Sequence, residues 1–128
     1  MTAAPPKRRD FDYRDVTIFP PYPDETPTDL LADGDPDDLV RVAKLDGFVI
    51  GAYRLAQIDE TQFTIKALTV REAYRGRGIG RWMLGHAVGI AELKGARVIN
   101  APLAGAAFFA KVGFERQGSR LRLKLTPE

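Results

Sequence analysis

Apolar and polar positions fall into regular runs only from Leu39 onward, and those runs change period once. Leu39–Leu45 and the run 48–58 are rich in Val, Ile, Tyr, Leu and Ala. Asp46-Gly47 parts them, a pair suited to a two-residue hairpin turn. After Asp59-Glu60-Thr61 a third strand-like run spans Gln62–Val70, so the pattern predicts an antiparallel meander. Across 78–94 the period becomes helical: Ile79, Met83, Leu84, Ala87, Ile90 and Ala91 share one side, with Arg81 and Glu92 opposite. Gly95 is placed to stop that helix. A strand at 97–101 follows, expected to return by a right-handed crossover and lie parallel to the strand ending at Val70. A short helix at 105–112 ends on Gly113, and 119–125 closes the chain with Leu121, Leu123 and Leu125 alternating with Arg120, Arg122 and Lys124.

Ahead of Leu39 the chain is rich in proline and acid. Only 16–19 reads as a strand there, and 28–32 has room for at most a turn or two of helix. The expected organisation is a flexible arm at 1–14 and one α/β domain with a mixed sheet at 15–128, irregular over 20–38.

Composition narrows the chemistry. The chain has 128 residues, 45% hydrophobic and 28% charged, ordinary values for one globular domain. A formal charge of +2 does not call for nucleic acid, and no basic run is interleaved with aromatic residues. There is no cysteine and one histidine, which removes disulfides, thiolate catalysis and metal sites built on those ligands. No apolar run approaches the ~18 residues of a membrane span. Lys7-Arg8-Arg9 has no apolar stretch after it, so it is not a signal peptide, and the cytoplasm is the expected location.

The segment from Val70 to Gly80 carries the most information. Gly76, Gly78 and Gly80 alternate with Arg75, Arg77 and Ile79 between a strand and a helix. Glycines let successive N–H groups converge where a helix begins, and a helix start favours an anion. The expected ligand is a phosphate group. A Walker loop requires Gly-Lys-Ser/Thr, whereas Gly80 precedes Arg81 and Trp82; the dinucleotide fingerprint requires G-x-G-x-x-G, and this chain has G-x-G-x-G. What the segment resembles is the acyl-CoA loop of the GNAT N-acyltransferase superfamily, Arg/Gln-x-x-Gly-x-Gly/Ala, matched by Arg75, Gly78 and Gly80. The run from Ala107 to Phe114, with Phe108, Phe109, Lys111 and Gly113, is similar to that superfamily's Phe-Tyr-x-Lys-x-Gly-Phe element.

The resemblance implies a mixed sheet whose two parallel strands splay to admit the pantetheine arm of acetyl-CoA. Arg75, Gly76, Gly78, Ile79 and Gly80 would cradle the pyrophosphate, Arg77 and Arg81 would add charge, and the arm would lie along Leu68 and Val70. Val70 would point its N–H at the thioester carbonyl. Phe109 and Asn100 would line the arm, Asn100 alternatively only capping the next turn.

Departures from the pattern leave the catalytic acid and base open. Phe109 stands where the family often has a tyrosine, and it has no proton to give. Gln62–Val70 contains no carboxylate. Asn100 and His86 are the remaining candidates, His86 more simply a residue on the helix margin. Acceptor-side helices are reduced to 28–32, which suits a bulky acceptor such as a protein or peptide amine and equally a protein that has lost turnover; the acceptor would be a small-molecule or a protein or peptide amine.

Three readings follow. One is an acetyl-CoA-dependent N-acetyltransferase without metal. Another is a degenerate acyl-CoA-binding or regulatory module. A third is an interaction module in which the loop is only a turn and Arg120, Arg122 and Lys124 face an anionic partner. An exposed edge at 119–125 would permit a homodimer.

Overall fold

The computed structural model describes residues 10–25 and 28–125. Seven strands form one sheet: β1 (Thr17–Phe19), β2 (Leu39–Leu45), β3 (Phe48–Gln57), β4 (Gln62–Val70), β5 (Val98–Ala101), β6 (Glu115–Gln117) and β7 (Arg120–Lys124). Their order is β1-β2-β3-β4-β5-β7-β6. Two helices accompany them, α1 (Ile79–Leu93) and α2 (Ala106–Lys111). The mixed α/β architecture expected from the pattern is the one observed: β1 to β4 are antiparallel neighbours and β4 pairs with β5 in parallel.

The β2–β3 hairpin turns at Asp46 and Gly47, both at positive φ (52° and 80°), as a two-residue turn matching strand twist requires. Ladder register slips twice. Ala43 opposes Gly51 while Lys44 opposes Val49, leaving Ile50 as an extra residue of β3. Arg54 opposes Ala67 while Leu55 opposes Ile65, leaving Lys66 as an extra residue of β4. Such bulges bend the strand and reverse which face its side chains take beyond them.

Helix α1 buries Ile79, Met83, Leu84, Ala87 and Ala91. These pack with Tyr53, Leu55, Phe63, Ile65 and Ile99 in the main core. Met83 comes close to the sheet because Gly51 lies beneath it: a Cβ there would meet Thr69 O at 2.9 Å and Met83 Sδ at 3.0 Å. Each large side chain so enclosed contributes roughly 1.5–3 kcal/mol. The opposite sheet face carries a smaller cluster, Leu31, Val42 and Ala52, covered by the segment that precedes β2. That segment turns at 28–30 and forms no helix among its described residues.

The C-terminal end differs from the sequence expectation. β7 is not a sheet edge; it lies between β5 and β6, paired antiparallel with both. The edge is β6, whose short, wholly exposed Glu-Arg-Gln run gives no apolar alternation to read. A homodimer through an open edge at 119–125 therefore loses its basis, because β6 occupies that edge.

Of the expected N-terminal arm, residues 1–9 lie outside the described residues. From Asp10 the chain runs into a 3-10 turn, Tyr13–Asp15, that lies beside α1.

Candidate active site

The site begins where β4 and β5 part. Their parallel pairing covers only Gln62–Thr64 of β4, against Val98, Ile99 and Asn100. Beyond it β4 runs on to Val70 while β5 ends at Ala101. Ladder alternation fixes the direction of the freed groups. Arg71 donates its N–H to Ile50 O at 2.8 Å, so the preceding residue presents its N–H and C=O away from β3. Leu68 and Val70 thus turn their backbone groups toward the gap. The Val70 carbonyl agrees with this, accepting from Arg75 Nε at 2.7 Å.

Between the strands lies a cleft of about 860 Å³. One wall is β4 from Lys66 to Val70; the other is Pro102, Ala104, Gly105, Phe108 and Phe109. Phe109 is buried and packs edge-on against Phe108 and tilted on Phe114, each with centroids 5.2 Å apart. The surface is therefore largely aromatic and aliphatic, suited to a thin apolar arm.

The far end of the cleft is the start of α1. Gly78 occupies the N-cap with φ 83° and provides no side-chain cap. The first intrahelical bond is Trp82 N–H to Gly78 O at 3.0 Å. The N–H groups of Ile79, Gly80 and Arg81 precede it and so have no partner within the helix. All of these residues border the cleft. Gly80 leaves just enough room, since a Cβ there would reach Phe108 Cε1 at 3.3 Å. Arg75 and Arg81 line the same space, and no described carboxylate does. Helix N–H groups without intrahelical partners, two arginines and no described acid give this end of the apolar channel the chemistry that suits an anion.

Most of the expected residues meet here: Leu68, Val70, Arg75, Gly76 and Gly78, then Ile79, Gly80, Arg81 and Phe109. Arg75 has a role beyond charge, since its Nε holds the end of β4 through the Val70 carbonyl. Three candidates lie elsewhere. The guanidinium of Arg77 lies 4.6 Å over the ring of Phe11, outside the cleft lining. Asn100 is buried within the sheet, where its Oδ1 accepts from Arg122 Nε at 3.3 Å and its backbone carbonyl accepts from Thr64 Oγ1 at 3.4 Å. His86 faces the underside of α1, with Nδ1 2.8 Å from the hydroxyl of Tyr53.

The Tyr53–His86 pair is structural in character. Burial pushes the Tyr53 hydroxyl up to about 12, with Arg41 opposing, so it keeps its proton. Burial also holds the His86 pKa below its ordinary value, and the charge of Arg41 adds to this. A protonated phenol and a neutral imidazole can share this bond in either direction, according to the imidazole tautomer.

Sequence reasoning missed Lys66, Thr69 and Pro102 of the lining. Lys66 is the bulge residue, and only the ladder register reveals it. Its Nζ lies 2.9 Å from Asp38 Oδ2, which also bonds Arg54 Nη1 at 3.3 Å. Arg71 pairs with Asp29 and donates from Nε to Val49 O at 2.8 Å, tying the irregular segment to the end of β4. Among the described residues no group of acids and histidine is arranged to hold a metal ion. None of the described helices is long and apolar enough to cross a membrane.

Comparison with known proteins agrees with this geometry. Residues 36–116 match the family model described as the acetyltransferase (GNAT) domain. Among solved structures, a GNAT family acetyltransferase from Elizabethkingia anophelis with acetyl-CoA bound superposes with a TM-score of 0.74 at 20% identity, covering 87% of this chain and 99% of that one. The IAA acetyltransferase from Bacillus cereus gives 0.71 at 25% identity, covering 86% and 99%. The PaiA N-acetyltransferase from Thermoplasma acidophilum, in complex with coenzyme A, gives 0.63 at 25% identity over 70% of this chain and 62% of that one. No curated protein matches the sequence.

Proposed function

The chain belongs to the GNAT acetyltransferase family, and from that premise we propose that it transfers an acetyl group from acetyl-CoA to a primary amine by direct attack. One observation carries the reading: the unpaired edge of β4 runs along an apolar cleft and ends at the uncapped start of α1. Acetyl-CoA has that same sequence of parts, a thioester on a thin arm followed by a pyrophosphate.

The pyrophosphate would accept from the N–H groups of Ile79, Gly80 and Arg81, with Arg75 and Arg81 supplying charge. Leu68 and Val70 would hold the pantetheine amides from their backbone. Phe108 and Phe109 would keep water from the arm. A neutral amine nitrogen then bonds to the thioester carbon, and the Val70 N–H, aimed into the gap, stabilises the oxyanion as it forms. Collapse breaks the C–S bond and gives the amide and a CoA thiolate. The surplus ammonium proton leaves to solvent. The thiolate takes its proton from solvent, because Phe109 has none to give, no described carboxylate lines the cleft, and Tyr74 of the lining packs on Phe11 beside the glycine turn. Rate enhancement would come from alignment and the oxyanion donor, without general acid catalysis.

The missing tyrosine at Phe109 and the missing carboxylate among the described lining residues favour a second reading, a module that binds acyl-CoA without turnover. Release of free thiol from acetyl-CoA, measured across diamines, amino acids, aminoglycosides and lysine peptides, separates the two. Amine-dependent thiol release above the hydrolysis rate supports the enzyme. Tight acetyl-CoA binding with no release for any amine supports the module.

A further inference from the structure

We propose that residues 11–16 are a positioning strap for the glycine turn, in which Tyr13 and Phe11 hold the acyl-CoA phosphate loop in its binding shape from the side away from the cleft. The inference rests on the acyl-CoA reading above. The strap meets the loop before, within and after the turn. Phe11 packs on Tyr74 with ring centroids 6.0 Å apart. Its other neighbour is Arg77, whose guanidinium lies 4.6 Å over the ring. Tyr13 covers Gly78: a Cβ on that glycine would come 3.5 Å from Tyr13 Cδ1. The Tyr13 ring also tilts against Trp82, centroids 5.2 Å apart, one turn into α1. The Trp82 indole N–H then donates to the carbonyl of buried Val16 at 2.9 Å, anchoring the strap to the helix.

The strap fastens itself before it touches the loop. Asp12 accepts from the Arg14 N–H at 2.8 Å and donates its own N–H to Asp15 Oδ2 at 2.9 Å, a reciprocal capping box. Its rings are therefore presented from a pre-formed turn.

The loop needs such support. Gly76 and Gly78 both sit at positive φ, and nothing lies within 4 Å of where a Cβ on Gly76 would be. A glycine turn with so little packing of its own loses much freedom when it closes on an anion. Fixing it beforehand lowers that cost and raises affinity. Phe11, Tyr13 and Trp82 do not border the cleft, so they act on the ligand only through the loop.

The test is calorimetric binding of CoA and of pantetheine, which lacks the pyrophosphate, to the full chain and to Tyr13→Ala, Phe11→Ala and Tyr13→Phe. Tyr13→Ala and Phe11→Ala should weaken CoA by about tenfold or more, as loss of a supporting contact behind a ligand-holding group does. Pantetheine should be unaffected, and Tyr13→Phe should restore CoA affinity because the ring remains. Should Tyr13→Ala unfold, Trp82→Phe keeps the ring while removing the bond to Val16, and it should weaken CoA alone by a smaller factor. Unchanged CoA affinity, or an equal loss for CoA and pantetheine, overturns the strap. Absence of CoA binding by the unaltered chain overturns the acyl-CoA reading, and the strap with it.

Discussion

Gly78 and Gly80 stand two residues apart in one turn, yet replacement would fail at each for a different reason. Gly78 holds φ at 83°, where an L side chain costs about 1–2 kcal/mol, so a substitution there confuses strain with lost binding. Gly80 is not at positive φ, and its constraint is the 3.3 Å approach to Phe108. Gly80→Val should leave denaturant stability within about 1 kcal/mol of the parent yet weaken CoA by at least about tenfold, or 1.4 kcal/mol. Parallel urea titration and calorimetry check this, and retained CoA affinity would remove Gly80 from the cradle. Asp38 provides a second residue-level prediction. Burial pushes its pKa up, but the hydrogen bonds and charges of Lys66 and Arg54 outweigh burial and hold it below 3.8. Its side chain is only 4% exposed, and Arg54 Nε beside it has no partner. Asp38→Asn should cost about 2–3 kcal/mol, less than a fully buried pair because Lys66 is partly solvated. Urea denaturation at neutral pH checks it; a loss under about 0.5 kcal/mol would mean the pairs are merely surface contacts.

At the level of elements, α1 both begins at the far end of the cleft and forms the main cover of the sheet, and His86 makes the second role sensitive to pH. The folded pKa of His86 lies below its ordinary 6.5, from burial first and then from Arg41. The unfolded chain therefore takes up the proton first as pH falls. His86 contributes no pH dependence well above 6.5; below it, stability declines until the folded form also protonates. His86→Asn, whose side-chain amide can still hydrogen-bond the Tyr53 hydroxyl, should abolish that decline between pH 7 and 5 in denaturation measurements. An identical slope in the variant would place the titration elsewhere. Elements with strong periodicity were legible in the chain itself: β4 runs Gln62–Val70 as its pattern required, and α1 carries its buried residues at the expected spacing. The bulges at Ile50 and Lys66 were not, because one extra residue inside a long apolar run leaves the run intact. β6 escaped because three exposed polar residues carry no period. Asn100 ends a strand, where its amide could reach the arm or only cap the next turn, but pairing with β7 gives its side chain to Arg122 instead.

For the whole molecule, the glycine-arginine turn and the two phenylalanines were legible because their spacing matches motifs of the family the chain belongs to. Contacts that join distant parts of the chain were not. Phe11 and Tyr13 meet Tyr74 and Trp82 across most of the domain, and no local pattern announces such a meeting. The parts converge on one cleft with an apolar channel and an anion-binding end. Acyl-CoA binding in this cleft is tested by thermal unfolding with acetyl-CoA, CoA or ATP, in the parent and in Gly80→Val. At about a hundred times its dissociation constant, a ligand of the folded state adds about 2.7 kcal/mol. The parent should rise with acetyl-CoA and CoA and much less with ATP, and Gly80→Val should lose that rise. No rise at millimolar acetyl-CoA, or an equal rise with ATP, would contradict the account.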